Sequence, residues 1–137
     1  MTNIALIFGG PSPEHEISVL TGLQAGRILT EAGQDIISIY WTKQGNWFRV
    51  DPSLEAQEFL KTDIPTSTPL DFVIPDGFVE KKKLKSKPLD VDVVLNCSHG
   101  GPGEEGVLSA MLQLCGIKVT GPRHDVSASL MDKRSEE

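Results

Sequence analysis

Two apolar runs, each followed by a glycine-rich turn, most constrain what this chain can fold into. Residues 3–8, NIALIF, stop at Gly9-Gly10, and residues 91–96, VDVVLN, lead into HGGPGEEG, 99–106. Runs of this kind, without strict alternation, mark strands buried on both faces, the normal condition of a parallel sheet. A helical spacing follows each turn. Ile17, Leu20, Leu23, Ile28, Leu29 and Ala32 form the first stripe, stopped by Gly33. Val107, Leu108, Met111, Leu112 and Cys115 form the second, closed by Gly116. Ser12-Pro13 suits an N-cap and first helical position, because proline lacks only a donor that a helix start leaves unpaired. Residues 35–41, DIISIYW, and 117–121, IKVTG, supply two more strands. The pattern predicts an α/β domain with an open parallel sheet of about four strands and helices on both faces.

The stretch between is less regular. TKQGNWFRV, 42–50, reads as the turn and return of a hairpin with Gly45-Asn46 at its tip. EAQEFL, 55–60, suits a short helix, while TDIPTSTPLDFVIPDG, 62–77, carries three prolines and no clear period. KKKLKSK, 81–87, places five lysines in seven positions and reads as a solvated loop or a charged edge strand. Residues 42–88 are therefore expected to be an insertion in the α/β frame. A last helix is expected from about Asp125 onward.

A chain of 137 residues with net charge −6 and pI about 5.0 suits one domain, and argues against nucleic acid or an acidic membrane surface as partner. No apolar run reaches the roughly 20 residues of a membrane helix, and no signal-peptide core precedes the first strand. Cys97 and Cys115 lie in apolar neighbourhoods and are read as reduced core thiols of a cytoplasmic protein.

In an open parallel sheet the strand-to-helix turns share one edge, and ligands bind there. Both glycine turns should meet at that edge, each bringing His and Glu. Glycine permits close backbone approach, and the helix start behind it offers N–H groups to an anion. Glu14 can complement the helix dipole or receive an ammonium. His15 can be a local hydrogen-bonder. A metal site from Cys97, His99 and His15 matches no standard zinc spacing, so no metal is assigned. GGPSPE lacks the GxGxxG fingerprint, and YWTKQG lacks the acid that would hold a ribose, which sets a dinucleotide aside.

FGGPSPEHEIS, CSHGGPGEEG and SASLMDK, in this order, resemble the D-alanine–D-alanine ligases of the ATP-grasp superfamily. IYWTKQGNW is similar to the hairpin of longer family members. Glu105 stands where the family usually has Asp, and SHGG replaces the common LHG. The resemblance implies a single Rossmann-like, pre-ATP-grasp substrate-binding domain over residues 1–137, with the central and C-terminal ATP-grasp domains absent. It implies that one D-alanine carboxylate is phosphorylated by ATP and then attacked by the amine of the second, for peptidoglycan precursors. Carried over residue by residue, Glu14 binds the first ammonium and Ser18 helps hold Glu14, the pair taken as catalytic. His15, His99 and Gly100 border the same substrate, and Lys133 reaches the ATP phosphates. ATP and Mg²⁺ are expected in the full-length enzyme and not tightly on this piece, which alone should be inactive. The resemblance further implies a homodimeric parent. A related ATP-grasp ligase of other amino acids, or a non-catalytic module that binds a small molecule, are the alternatives.

Overall fold

A computed structural model describes residues 3–11, 13–60, 67–80, 87–98 and 106–120. The elements are β1 (Ile4–Gly9), α1 (His15–Glu31), β2 (Ile36–Trp41), β3 (Trp47–Val50), a 3-10 turn (Ala56–Leu60), β4 (Thr68–Val73), β5 (Gly77–Glu80), β6 (Lys87–Pro88), β7 (Val93–Asn96), α2 (Val107–Leu114) and β8 (Lys118–Thr120). All eight strands form one sheet in the order β6-β5-β4-β3-β2-β1-β7-β8. β2, β1, β7 and β8 are mutually parallel, as expected, with Phe8 opposite Tyr40 and Ile7 opposite Asn96. Continuous apolar runs fit this half because its central strand is covered twice.

The alternation along β1 shows the two coverings. Leu6 and Phe8 pack with Val19 and Leu23 of α1, while Ala5 and Ile7 pack with Leu108 and Leu112 of α2. Phe8 is fully buried, worth about 2–3 kcal/mol of transfer free energy. Helices therefore flank both faces, and the α/β class stands.

The sheet is wider than about four strands. The described residues of 42–88 widen it: β3, β4, β5 and β6 join edge to edge as antiparallel strands. The β2–β3 hairpin matches the expected tip, with Trp41 opposite Trp47 and Gly45 at φ 93°. β4 and β5 escape the sequence reading because Pro69 and Pro75 break the period. Pro69 is tolerated at the start of β4, where it faces Phe48 of β3 and lies beyond the last residue that β5 pairs. Lys87 belongs to the edge strand β6; residues 81–86 of the lysine run lie outside the described residues, as does the last expected helix.

α1 departs from its expected face. Its buried residues include Ser18, Gly22 and Gly26, one every four positions, whereas Ile17, Leu20 and Ile28 are exposed. The cause is close approach. A Cβ at Gly22 would overlap the Phe8 side chain, and one at Gly26 would come within 3.2 Å of Leu6. The smallest side chains face the sheet, and three larger apolar ones are rotated outward. α1 also starts later than Pro13, at His15, with Glu14 in the N-cap place and no side-chain cap. No described helix is long and apolar enough to cross a membrane.

Candidate functional site

The strand order reverses at β1. The chain leaves β1 for β2 on one side and returns to β7 on the other, and the carboxyl ends of β1 and β7 are where an open sheet of this kind places its ligand crevice. Gly9-Gly10 closes β1 there, and Cys97-Ser98 follows β7. A side chain at Gly10 would sit 3.6 Å from Ser98 Cβ, so the two strand ends are neighbours.

Ser18 joins them. Its buried hydroxyl accepts the Gly9 N–H at 2.7 Å and donates to the Cys97 carbonyl at 2.7 Å. Both of these partners are backbone groups on strand ends. These two bonds make Ser18 a clamp across the seam. Its position follows from helix pitch, since Ser18 opens the same buried stripe as Gly22 and Gly26.

The turn itself is short of donors. The Gly9 N–H is taken by Ser18 and the Gly10 N–H by the Trp41 carbonyl at 2.8 Å. Pro11 and Pro13 have no N–H, and Ser12 lies outside the described residues. The glycines are used for shape: Gly9 has φ 96° and Gly10 φ 103°, and a Cβ on Gly9 would overlap the Trp41 carbonyl oxygen. Among the described residues the donors of the glycine turn are thus taken, and those that the sequence offers to an anion are the N–H groups at the start of α1, where carboxylates stand.

His15 is 4% exposed, and both its ring nitrogens face protein. Nδ1 lies 2.8 Å from the Gly10 carbonyl and Nε2 2.7 Å from the Tyr40 hydroxyl. This matches the local hydrogen-bonding reading and leaves neither nitrogen turned to a substrate. Burial, with the Glu16 charge second, pushes the Tyr40 phenol up, so it stays protonated at neutral pH. Glu14 is exposed at the start of α1. Glu16, two residues on, pairs with Lys43 of the β2–β3 hairpin at 3.1 Å, and that hydrogen bond and charge hold its carboxyl below the usual range. At the far lip, the Ser98 N–H donates to Asn96 Oδ1 at 3.0 Å, and the Ser98 hydroxyl donates to the same oxygen. Burial raises the Cys97 thiol to about 12, which removes it as a nucleophile.

The structure thus brings Glu14, His15 and Ser18 to one edge beside the root of the second turn. His99, Gly100 and Lys133 lie outside the described residues. Sequence reasoning misses Tyr40, Lys43 and Asn96. Tyr40 carries a faint signal, a polar-tipped aromatic at the end of an apolar strand, but its partner is set only by the fold. No group of His, Cys, Asp and Glu among the described residues could hold a metal.

The family model described as D-ala D-ala ligase N-terminus matches residues 3–122. A D-alanine–D-alanine ligase of Leptospira interrogans serogroup Icterohaemorrhagiae serovar Lai (strain 56601) is 35% identical over 133 residues, 97% of this chain and 37% of the relative. One from Chlorobium limicola is 32% identical over 142 residues, 96% of this chain and 38% of the relative. Among solved structures, the D-alanine–D-alanine ligase of Helicobacter pylori aligns with TM-score 0.74 and 26% identity, covering 89% of this chain and 38% of that one. The VanG D-Ala:D-Ser ligase of Enterococcus faecalis aligns with TM-score 0.70 and 30% identity, covering 86% and 35%. The chain spans a little over a third of the length of these relatives. It belongs to the D-ala D-ala ligase N-terminus family.

Proposed function

We propose that this chain is the N-terminal, substrate-binding domain of an ATP-dependent D-alanine–D-alanine ligase, and that Glu14 receives the ammonium of the first D-alanine. The observation that carries the reading is the donor deficit of the turn at 9–13. A site built for phosphate exposes N–H groups; this one has spent or removed them at four of its five positions and sets a carboxylate next in line. That chemistry suits a cation. The turn at 9–13 accordingly offers little to a polyphosphate. ATP and Mg²⁺ fall to the domains that follow in the longer relatives, with Lys133 as this chain's expected reach toward phosphate. When bound, ATP supplies the phosphoryl group that activates the substrate carboxylate. This domain's part is to hold the amine end still, since phosphoryl transfer gains chiefly from positioning. Ser18 and His15 serve by fixing the strand ends and the turn from which Glu14 projects. His99 and Gly100 are assigned to the same substrate.

The likeness to a D-Ala:D-Ser ligase as well as to D-Ala–D-Ala ligases fits this division. The two ligases share D-alanine by name and differ in the other residue, which Glu14 and its supports need not select. The reading includes a cytoplasmic location, a homodimeric parent and inactivity of the 137 residues alone.

Glu14→Gln in the full-length ligase is the test. Gln keeps the shape and an acceptor but loses the charge. Loss of a charge-assisted hydrogen bond costs on the order of 1.5–3 kcal/mol, or roughly ten- to hundredfold in the Michaelis constant for the first D-alanine. The constant for ATP should stay within a few fold. Lys133→Ala should show the opposite profile. Unchanged D-alanine dependence in Glu14→Gln would leave Glu14 as a helix-dipole residue and defeat the proposal.

A further inference from the structure

Between β2 and the glycine turn runs a chain of three groups: the Tyr40 hydroxyl, the His15 imidazole and the Gly10 carbonyl. A carbonyl oxygen only accepts, so Nδ1 must carry the proton that reaches Gly10 at 2.8 Å. In the neutral ring Nε2 is then a bare acceptor, and the Tyr40 O–H, 2.7 Å away, is the group that donates to it. Tyr40 is 5% exposed and His15 4%, so water does not readily substitute for either partner.

The far end of this chain has unusual leverage. The peptide between Gly10 and Pro11 has no N–H, because its nitrogen belongs to proline. Its carbonyl is the only hydrogen-bonding handle on that peptide plane, and His15 holds it. The Gly10 residue sits at φ 103°, where no side chain steers it. The Gly10 N–H is held separately by the Trp41 carbonyl, so it is the carbonyl side of this turn that the His15 proton can set.

We propose that Tyr40 is a positioning residue: by donating to Nε2 it reinforces the Nδ1–H tautomer that the Gly10 carbonyl requires, and so helps hold the Gly10–Pro11 peptide from which Glu14 is presented. This rests on the reading of Glu14 as the ammonium receptor. Tyr40 is packed among Phe8, at 5.9 Å between ring centroids, and Phe59, at 4.8 Å, so Tyr40→Phe removes the hydroxyl and leaves the packing. Buried Nε2 then lacks its donor, so the Nε2–H form, whose Nδ1 lone pair opposes the Gly10 oxygen, becomes more populated.

Two readouts in the full-length ligase test this. Long-range proton–nitrogen correlation on ¹⁵N-histidine, at about pH 8 where histidine is neutral, should show His15 as Nδ1–H in the natural protein and shifted toward Nε2–H in Tyr40→Phe. Retention of pure Nδ1–H in the variant overturns the proposal whatever the kinetics. The Michaelis constant for the first D-alanine should rise roughly three- to tenfold, the range of one neutral hydrogen bond, with that for ATP unmoved. A double substitution guards against a merely structural effect. In His15→Asn, the side-chain amide can donate to Gly10 without help from Tyr40, so adding Tyr40→Phe should cost nothing further. An equal cost in both backgrounds overturns the positioning role. If the tautomer shifts while neither Tyr40→Phe nor Glu14→Gln alters the D-alanine dependence, it is the ammonium reading that fails, and the positioning role falls with it. A tautomer that does not move while Glu14→Gln still weakens D-alanine binding overturns the positioning role alone.

Discussion

In the parallel half of the sheet, β1 lies between two helices, and its side chains alternate between them. In the antiparallel half, β3 to β5 are held by rings: Trp41 stacks on Trp47 at 4.5 Å, Trp47 meets Phe78 edge-on at 4.9 Å, and Phe78 meets Phe72 at 5.2 Å. The parallel half has rings too, in Phe8, Tyr40 and Phe59, but it brings α1 against β1 through small residues at Gly22 and Gly26, an approach with no counterpart among the rings of β3 to β5. The site belongs to the first kind. Short side chains let two strand ends and a helix start approach within one hydrogen bond, which aromatic packing would hold apart.

The ring-built half gives the largest expected effect. Phe78 is 1% exposed and joins Leu70 of β4 and Ile117 beside β8 in one cluster with α2. Phe78→Ala should cost about 3–5 kcal/mol in urea-induced unfolding. Because the cluster spans both halves, tryptophan fluorescence and far-ultraviolet circular dichroism should lose their signals together. Two separated transitions would mean that the halves fold independently and that the comparison is between two units rather than two styles of packing.

A smaller effect sharpens the other side. Replacing a helical glycine by alanine normally stabilises by up to about 1 kcal/mol. At Gly22 the added methyl meets Phe8, so Gly22→Ala should instead destabilise by about 1–3 kcal/mol, read as a lower urea midpoint. A stabilised variant would show that α1 can lift off the sheet at no cost.

The smallest effect contrasts the two thiols. Cys97 is 2% exposed, at the seam of the parallel half, while half-buried Cys115 lies 4.0 Å from the Val73 carbonyl at the end of β4; both are free. Iodoacetamide near neutral pH should label Cys115 first and Cys97 only on unfolding. The sign in alkali follows from linkage. Burial raises the folded Cys97 thiol from 9.0 to about 12, so the native state keeps a proton that the unfolded state sheds. Its contribution is full below pH 9 and is lost as pH rises toward 12. Cys97→Ala should flatten that alkaline decline; an unaltered slope would place the titration elsewhere.

The parallel half was legible in the sequence because uninterrupted apolar runs and positive-φ glycines at turns are local signals. Gly33, Gly45 and Gly116 all fall where the pattern predicts an end or a tip. β4 and β5 were not legible, since Pro69 interrupts the alternation and their partners are aromatic residues distant in sequence. The face of α1 was misread for a related reason. Hydrophobicity ranks Ile17 and Leu20 above Gly22, but the distance between α1 and β1 admits only the smaller residue, and distance is not written in periodicity. Within the site, Glu14 and Ser18 stood out by position, whereas the pairing of Tyr40 with His15 needed the register of β1 against β2 to become visible.

The two prolines of GGPSP also make the turn an economical instrument. Only three amides exist between residues 9 and 13, and two have assigned loads. In hydrogen–deuterium exchange, the Gly9 amide reports the Ser18 bridge between β1 and β7, and the Gly10 amide reports the grip of β1 on the end of β2. Adjacent in sequence, these amides gauge opposite sides of the same strand, so unequal exchange at the pair would tell which wall of the crevice breathes first.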